Sequence, residues 1–137
     1  MYLLGIPLLL IPFAIYNMIA FLMPGIVWTD RLTTITMVSG EQWTITPEDL
    51  LIGLSILLLY GEIFKAARAS ASRGLVDHLL SFVLFVVMGV EFLLVGRAAT
   101  STFFLLLLLE LVDVLSGFTI AARAARRDVA IEEAVNH

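Results

Sequence analysis

TFFLLLLLELVDVLSGF, residues 102–118, is a leucine run with two acids in its middle, Glu110 and Asp113. The run is long and apolar enough to enter hydrocarbon, and at i and i+3 the two carboxyls share one helix face. The rest of the chain has the same character. Of its 137 residues 61% are hydrophobic and 15% are charged, with a mean hydropathy of +1.03. A water-soluble domain has roughly 45–50% apolar and about 25% charged residues. So short and apolar a chain has too little polar surface to cover itself, and the bilayer is its solvent. It has no cysteine, which removes disulfides, thiolate metal sites and thiol catalysis. A net charge of −4 without a basic stripe argues against nucleic acid as a partner.

Working outward from that run, four apolar stretches predict spans at about 2–27, 48–66, 75–96 and 102–122. The first lacks the basic start of a cleaved leader and is read as a retained anchor, with a kink expected near Pro12. The second begins at "TPED", residues 46–49. Thr46 suits the cap, Pro47 the first helical position, and Glu48 and Asp49 the positive end of the dipole.

Basic residues set the orientation. Lys65, Arg68 and Arg73 separate spans two and three, and Arg123, Arg126 and Arg127 follow span four. Only Arg31 and Arg97 fall on the other side. The positive-inside rule therefore predicts both termini in the cytoplasm and the segment between spans one and two outside. That outer segment, "TTITMVSGEQWTIT", alternates on either side of a Ser-Gly-Glu turn. It predicts a β-hairpin over about 33–46 with Ile35, Met37, Trp43 and Ile45 on one face. A lone hairpin is marginal, so this face should rest on the membrane surface, on the helices' own ends, or on a partner. The tail, residues 123–137, should continue the fourth helix, its Arg123, Arg126 and Arg127 among anionic headgroups.

Counting about 1.5 Å per residue from the outer helix ends puts Asn17 and Ser55 roughly 9–10 Å deep, Glu91 roughly 7 Å and Glu110 roughly 12 Å. Each span then gives one polar group to a layer in the outer half of the membrane, with Asp113 one turn deeper. A charged residue at the bilayer centre costs about 2.5–3.5 kcal/mol or more. The one basic residue at that end, Arg97, can reach back to Glu91 but cannot balance three acids. The acids have three readings: hydrogen bonds to Asn17 and Ser55 that glue the helices, a path for protons or cations, or pairing with a basic residue of another subunit. A second group, Tyr60, Glu62, Lys65, Asp77 and His78, lies at the cytoplasmic rim, where snorkelling and helix pairing are the ordinary expectation. A single histidine makes a poor metal or haem site, so neither metal nor cofactor is expected. Gly53, Gly61, Gly89, Gly96 and Gly117 allow close helix approach.

Three stretches, "SGEQWTIT" (39–46), "LVDHLLSFVLFVVMGVEFLLV" (75–95) and "AATSTFFLLLLLELVDVLSGF" (98–118), resemble small four-span bacterial inner-membrane proteins. That resemblance implies topology and bacterial origin, and no catalytic motif comes with it. Small multidrug-resistance transporters share only the size, since their essential acid belongs to span one, where this chain offers Asn17.

Together these readings predict an all-α membrane protein of four transmembrane helices with an extracytoplasmic β-hairpin and both termini inside. No nucleophile–base or metal spacing marks it as an enzyme. The expected role is a structural or accessory subunit in contact with membrane lipid, acting as a homo-oligomer or within a larger membrane complex. The alternative is a small oligomeric proton or cation pathway using Glu91, Glu110 and Asp113.

Overall fold

The computed structural model describes residues 6–68 and 71–136, with residues 71–73 and 124 described by backbone alone. In chain order the elements are α1 (Leu10–Leu22), β1 (Thr33–Thr36), β2 (Gln42–Ile45), α2 (Pro47–Arg68), α3 (Ala71–Leu94), a 3-10 turn (Gly96–Ala98) and α4 (Ser101–Asn136). Three helices, α2, α3 and α4, are long and apolar enough to cross a membrane. α2 and α3 both pack along α4, while α1 touches α2, α4 and the 3-10 turn.

α1 corrects the first predicted span. It has 13 helical residues, about 20 Å at 1.5 Å per residue, where a span over 2–27 was expected. Residues 2–5 lie outside the described residues. At its far end Pro24 disfavours helical backbone at Met23, whose φ of −129° and ψ of 61° leave the α region. The kink expected near Pro12 has no cause, because the helix begins at Leu10 and Pro12 falls in its first turn. Backbone N–H groups there have no intrahelical acceptor to lose.

The start of α2 follows its sequence. Thr46 Oγ1 accepts from the Asp49 N–H at 3.2 Å, and Asp49 Oδ2 accepts from the Thr46 N–H at 3.0 Å. This is a reciprocal capping box with Asp in the place of the usual Glu. Ahead of it, β1 and β2 pair antiparallel with Ile35 opposite Trp43 and Thr33 opposite Ile45. The Gly40 N–H donates to the Met37 carbonyl at 2.9 Å, and Gly40 itself has a φ of +93°. A turn followed by a left-handed residue is the common three-residue hairpin closure, and glycine adopts it without a Cβ penalty.

An aromatic cluster lies at the hairpin end of the bundle. Phe103 of α4 is fully buried, with the Tyr16 ring edge-on at 4.9 Å and the Phe92 ring stacked at 6.0 Å. Trp28 covers the group by stacking on Tyr16 at 4.7 Å. α4 then continues as one helix through the tail to Asn136, 36 residues or about 54 Å.

Candidate functional site

The single polar layer expected across all four spans is divided in two. At the hairpin end, α1 and the α3–α4 connection exchange hydrogen bonds. The Tyr16 hydroxyl lies 2.7 Å from both the Arg97 carbonyl and Thr100 Oγ1. Thr100 Oγ1 also accepts from the Phe103 N–H at 3.1 Å, capping α4. In return the Arg97 guanidinium donates to the Ala20 carbonyl at 2.8 Å and lies 5.4 Å from the centre of the Phe21 ring. A cation is favoured there, at the negative end of the α1 dipole. Arg97 is therefore engaged by α1 and not by Glu91, as the sequence had suggested. Glu91 instead receives the Asn17 amide at 3.4 Å, and that amide also donates to the Phe13 carbonyl at 3.0 Å.

Ser55 is fully buried but turns back on its own helix, donating to the Leu51 carbonyl at 2.6 Å. It joins neither group. Such back-bonding satisfies a hydroxyl within an apolar helix without linking it to a neighbour.

Glu110 and Asp113 belong with residues first placed at the cytoplasmic rim. Glu62 is 3% exposed, whereas Tyr60, two positions earlier, is 73% exposed and stacks on Phe64 away from the acids. Glu62 Oε2 accepts the Leu8 N–H at 2.9 Å and lies 3.3 Å from Lys65 Nζ. Lys65 in turn donates to the Ile6 carbonyl at 2.9 Å. The pair thus clamps residues 6–8, just ahead of α1, and brings a carboxylate to the positive end of that helix. Glu62 also lines the same cavity as Asp113.

Neither acid of the leucine run is matched in this way. Glu110 is 0% exposed, and neither of its oxygens has a hydrogen-bond partner among the described residues. Asp113 is 4% exposed, with its Oδ2 likewise unpartnered, and Ser81 of α3 is its hydroxyl neighbour. Asp113 forms part of the wall of a cavity of about 290 Å³ whose described lining comes from α2, α3 and α4. Its polar lining includes Glu62, Lys65, Asp77, His78 and Ser81, and it reaches the surface at the exposed Asp128. Leu8, just ahead of α1, packs beside Gly61 of α2, next to this end of the bundle. Among the described residues, no three His, Asp or Glu side chains are grouped so as to hold one metal ion.

The remaining predicted residues are peripheral. Ile35, Met37 and Trp43 are each close to half exposed, so the helices do not cover the hairpin's apolar face; Ile45, next to α2, is partly buried. Arg123, Arg126 and Arg127 are exposed on the outlying part of α4.

Sequence reasoning missed Tyr16, Thr100 and Ser81. Ser81 was findable, since it follows Asp77 and His78 by one helical turn on the same face. Tyr16 and Thr100 left no such signal, because their pairing joins positions 84 residues apart. Set against known proteins, the chain matches no family model, no curated protein sequence and no solved structure.

Proposed function

We propose that this is a non-enzymatic integral membrane protein that acts as a structural or accessory subunit, associating with itself or with a larger membrane complex. In this reading α1 joins the three long helices in the bilayer of a bacterial inner membrane, with both termini cytoplasmic. The observation that carries the proposal is the hairpin. Its apolar face, Ile35, Met37 and Trp43, stands free of the chain's own helices, and an isolated two-stranded sheet is marginal without a surface to cover it.

The interior acids have a different part from the one the sequence suggested. Glu110 and Asp113 are enclosed by their own bundle, so association runs through the hairpin and the lipid-facing helices, not through a foreign base reaching those carboxyls. The test is the size of the particle extracted in mild detergent, together with the proteins that co-purify. Ile35→Ser with Trp43→Ser should shrink it, while Glu110→Gln with Asp113→Asn should not. A hairpin variant of unchanged size overturns the proposal.

A second reading, a proton or cation pathway, is favoured by the unpartnered Glu110 next to an Asp113 that borders a cavity. Reconstituted protein would then carry an ion flux that Glu110→Gln with Asp113→Asn abolishes. A parent protein without flux excludes this reading.

A further inference from the structure

The hairpin has an edge as well as a face. β1 and β2 form a two-stranded sheet, and among the described residues no helix packs along β1. The Met37 N–H donates to the Glu41 carbonyl at 2.8 Å, which fixes the phase of the ladder. Bonded pairs alternate along an antiparallel sheet, so Ile35 and Thr33 bond to Trp43 and Ile45 opposite them. Thr34 and Thr36 turn their N–H and C=O groups the other way, to the free side of β1. Among the described residues neither has a backbone hydrogen bond outside the hairpin.

Open edges are ordinarily blunted by a charge, a proline or a bulge. Thr33–Thr36 contains no charge and no proline, and its register runs without a bulge. β2 is better guarded: Glu41 precedes it, and one residue separates its end from α2. β1 is also suited to pairing with itself. Set antiparallel about Ile35, Thr34 of one copy faces Thr36 of the other, and their outward N–H and C=O groups meet as bonded pairs. The same register carries Arg31 of each copy alongside the turn of the other, where Glu41 is the one charge. Both side chains are exposed, and neither has an ion-pair partner among the described residues. The product has four strands with Ile35 and Trp43 of both copies on one face, whereas two strands alone are marginal.

We propose that two copies of the chain join through β1, edge to edge, into one four-stranded antiparallel sheet. The pairing rests on the association proposed above and names its partner as a second copy.

The test uses the lack of native cysteine, with Ile35→Cys or Trp43→Cys oxidised in membranes before extraction. The two Ile35 positions form a non-hydrogen-bonded pair with Cα atoms about 4.5 Å apart, within the span of a disulfide. The two Trp43 positions lie three strand spacings apart, roughly 14 Å, and out of reach. A covalent dimer is therefore expected from Ile35→Cys and not from Trp43→Cys. Adding Thr34→Pro, whose lost N–H points away from β2, should leave the hairpin intact and abolish that dimer. Arg31→Glu should slow its formation about threefold, and Glu41→Arg on top of that change should restore the rate. Equal dimers from both cysteine variants mean that the copies pack face to face, and overturn the proposal. No dimer from Ile35→Cys overturns it too. In that case a particle that is larger than one chain, and that Ile35→Ser with Trp43→Ser shrinks, leaves the hairpin's association standing with another partner. A particle of one chain removes both.

Discussion

Glu62, Glu110 and Asp113 are three acids within one bundle, and their surroundings give them unlike energetic roles. Glu62 is buried with a lysine and a backbone N–H, so removing it leaves the Leu8 N–H without an acceptor and Lys65 without its counter-charge. Glu62→Leu should lower stability by about 1–3 kcal/mol, the cost of leaving a buried donor unpaired. Glu110 is buried with nothing to lose among the described residues, and an unpaired buried carboxyl is itself destabilising. Glu110→Met, similar in size and flexible, should therefore unfold at the same or a higher temperature than the parent. A Glu110→Met protein that melts lower would mean that the carboxyl has a partner of its own. The sequence disclosed the oddity of these residues but not their division. Depth counted along each helix carries no information on which way a side chain points or which helix stands beside it. Glu62 read as a rim residue because it lies near the end of its span. Its burial comes from residues 6–8 folding over it, a contact across 54 positions.

Elements were more legible than contacts, because caps, turns and periodicity are written locally. The TPED start of α2, the Gly40 closure of the hairpin and the continuation of α4 through the tail all appear where the residues predict them. The capping box makes a quantitative test. Thr46→Ala removes the acceptor of the Asp49 N–H and should cost about 1 kcal/mol, seen as fraying of the first turn of α2 by hydrogen exchange. Unaltered exchange at Glu48 and Asp49 would show that the turn is held from elsewhere. α1 is where local reading failed, and the reason is physical. Apolar composition runs on from residue 2 to residue 27, but a helix also needs a start and a stop, and composition supplies neither. Its start is fixed from outside, by Glu62 and Lys65, and its stop by Pro24. Pro12→Ala, in a first turn with no hydrogen bond to restore, should change stability by well under 1 kcal/mol. A large gain would show that the proline strains the helix after all.

At the scale of the whole molecule the outstanding question is how many times the chain crosses. α2, α3 and α4 lie between the hairpin and the tail, and each is long and apolar enough to span. Three crossings would put the hairpin and the tail on opposite sides, whatever α1 does. α1 alone, at about 20 Å, is shorter than a hydrocarbon core of about 30 Å. Its anchors nevertheless stand at both ends of the bundle: Ile6 and Leu8 at Lys65 and Glu62 late in α2, Tyr16 and Ala20 at the connection between α3 and α4. With residues 6–9 added, the segment runs antiparallel to α2 from one group of polar contacts to the other. That arrangement predicts an N-terminus on the side of the tail. A chain without native cysteine permits a direct measurement, with single cysteines at Ile6, Val38 and Val135 labelled in sealed vesicles by an impermeant maleimide. Val38 should be labelled from one side, and Ile6 and Val135 from the other. Labelling of Ile6 together with Val38 would mean that α1 enters and leaves by the same face, and that the protein crosses three times.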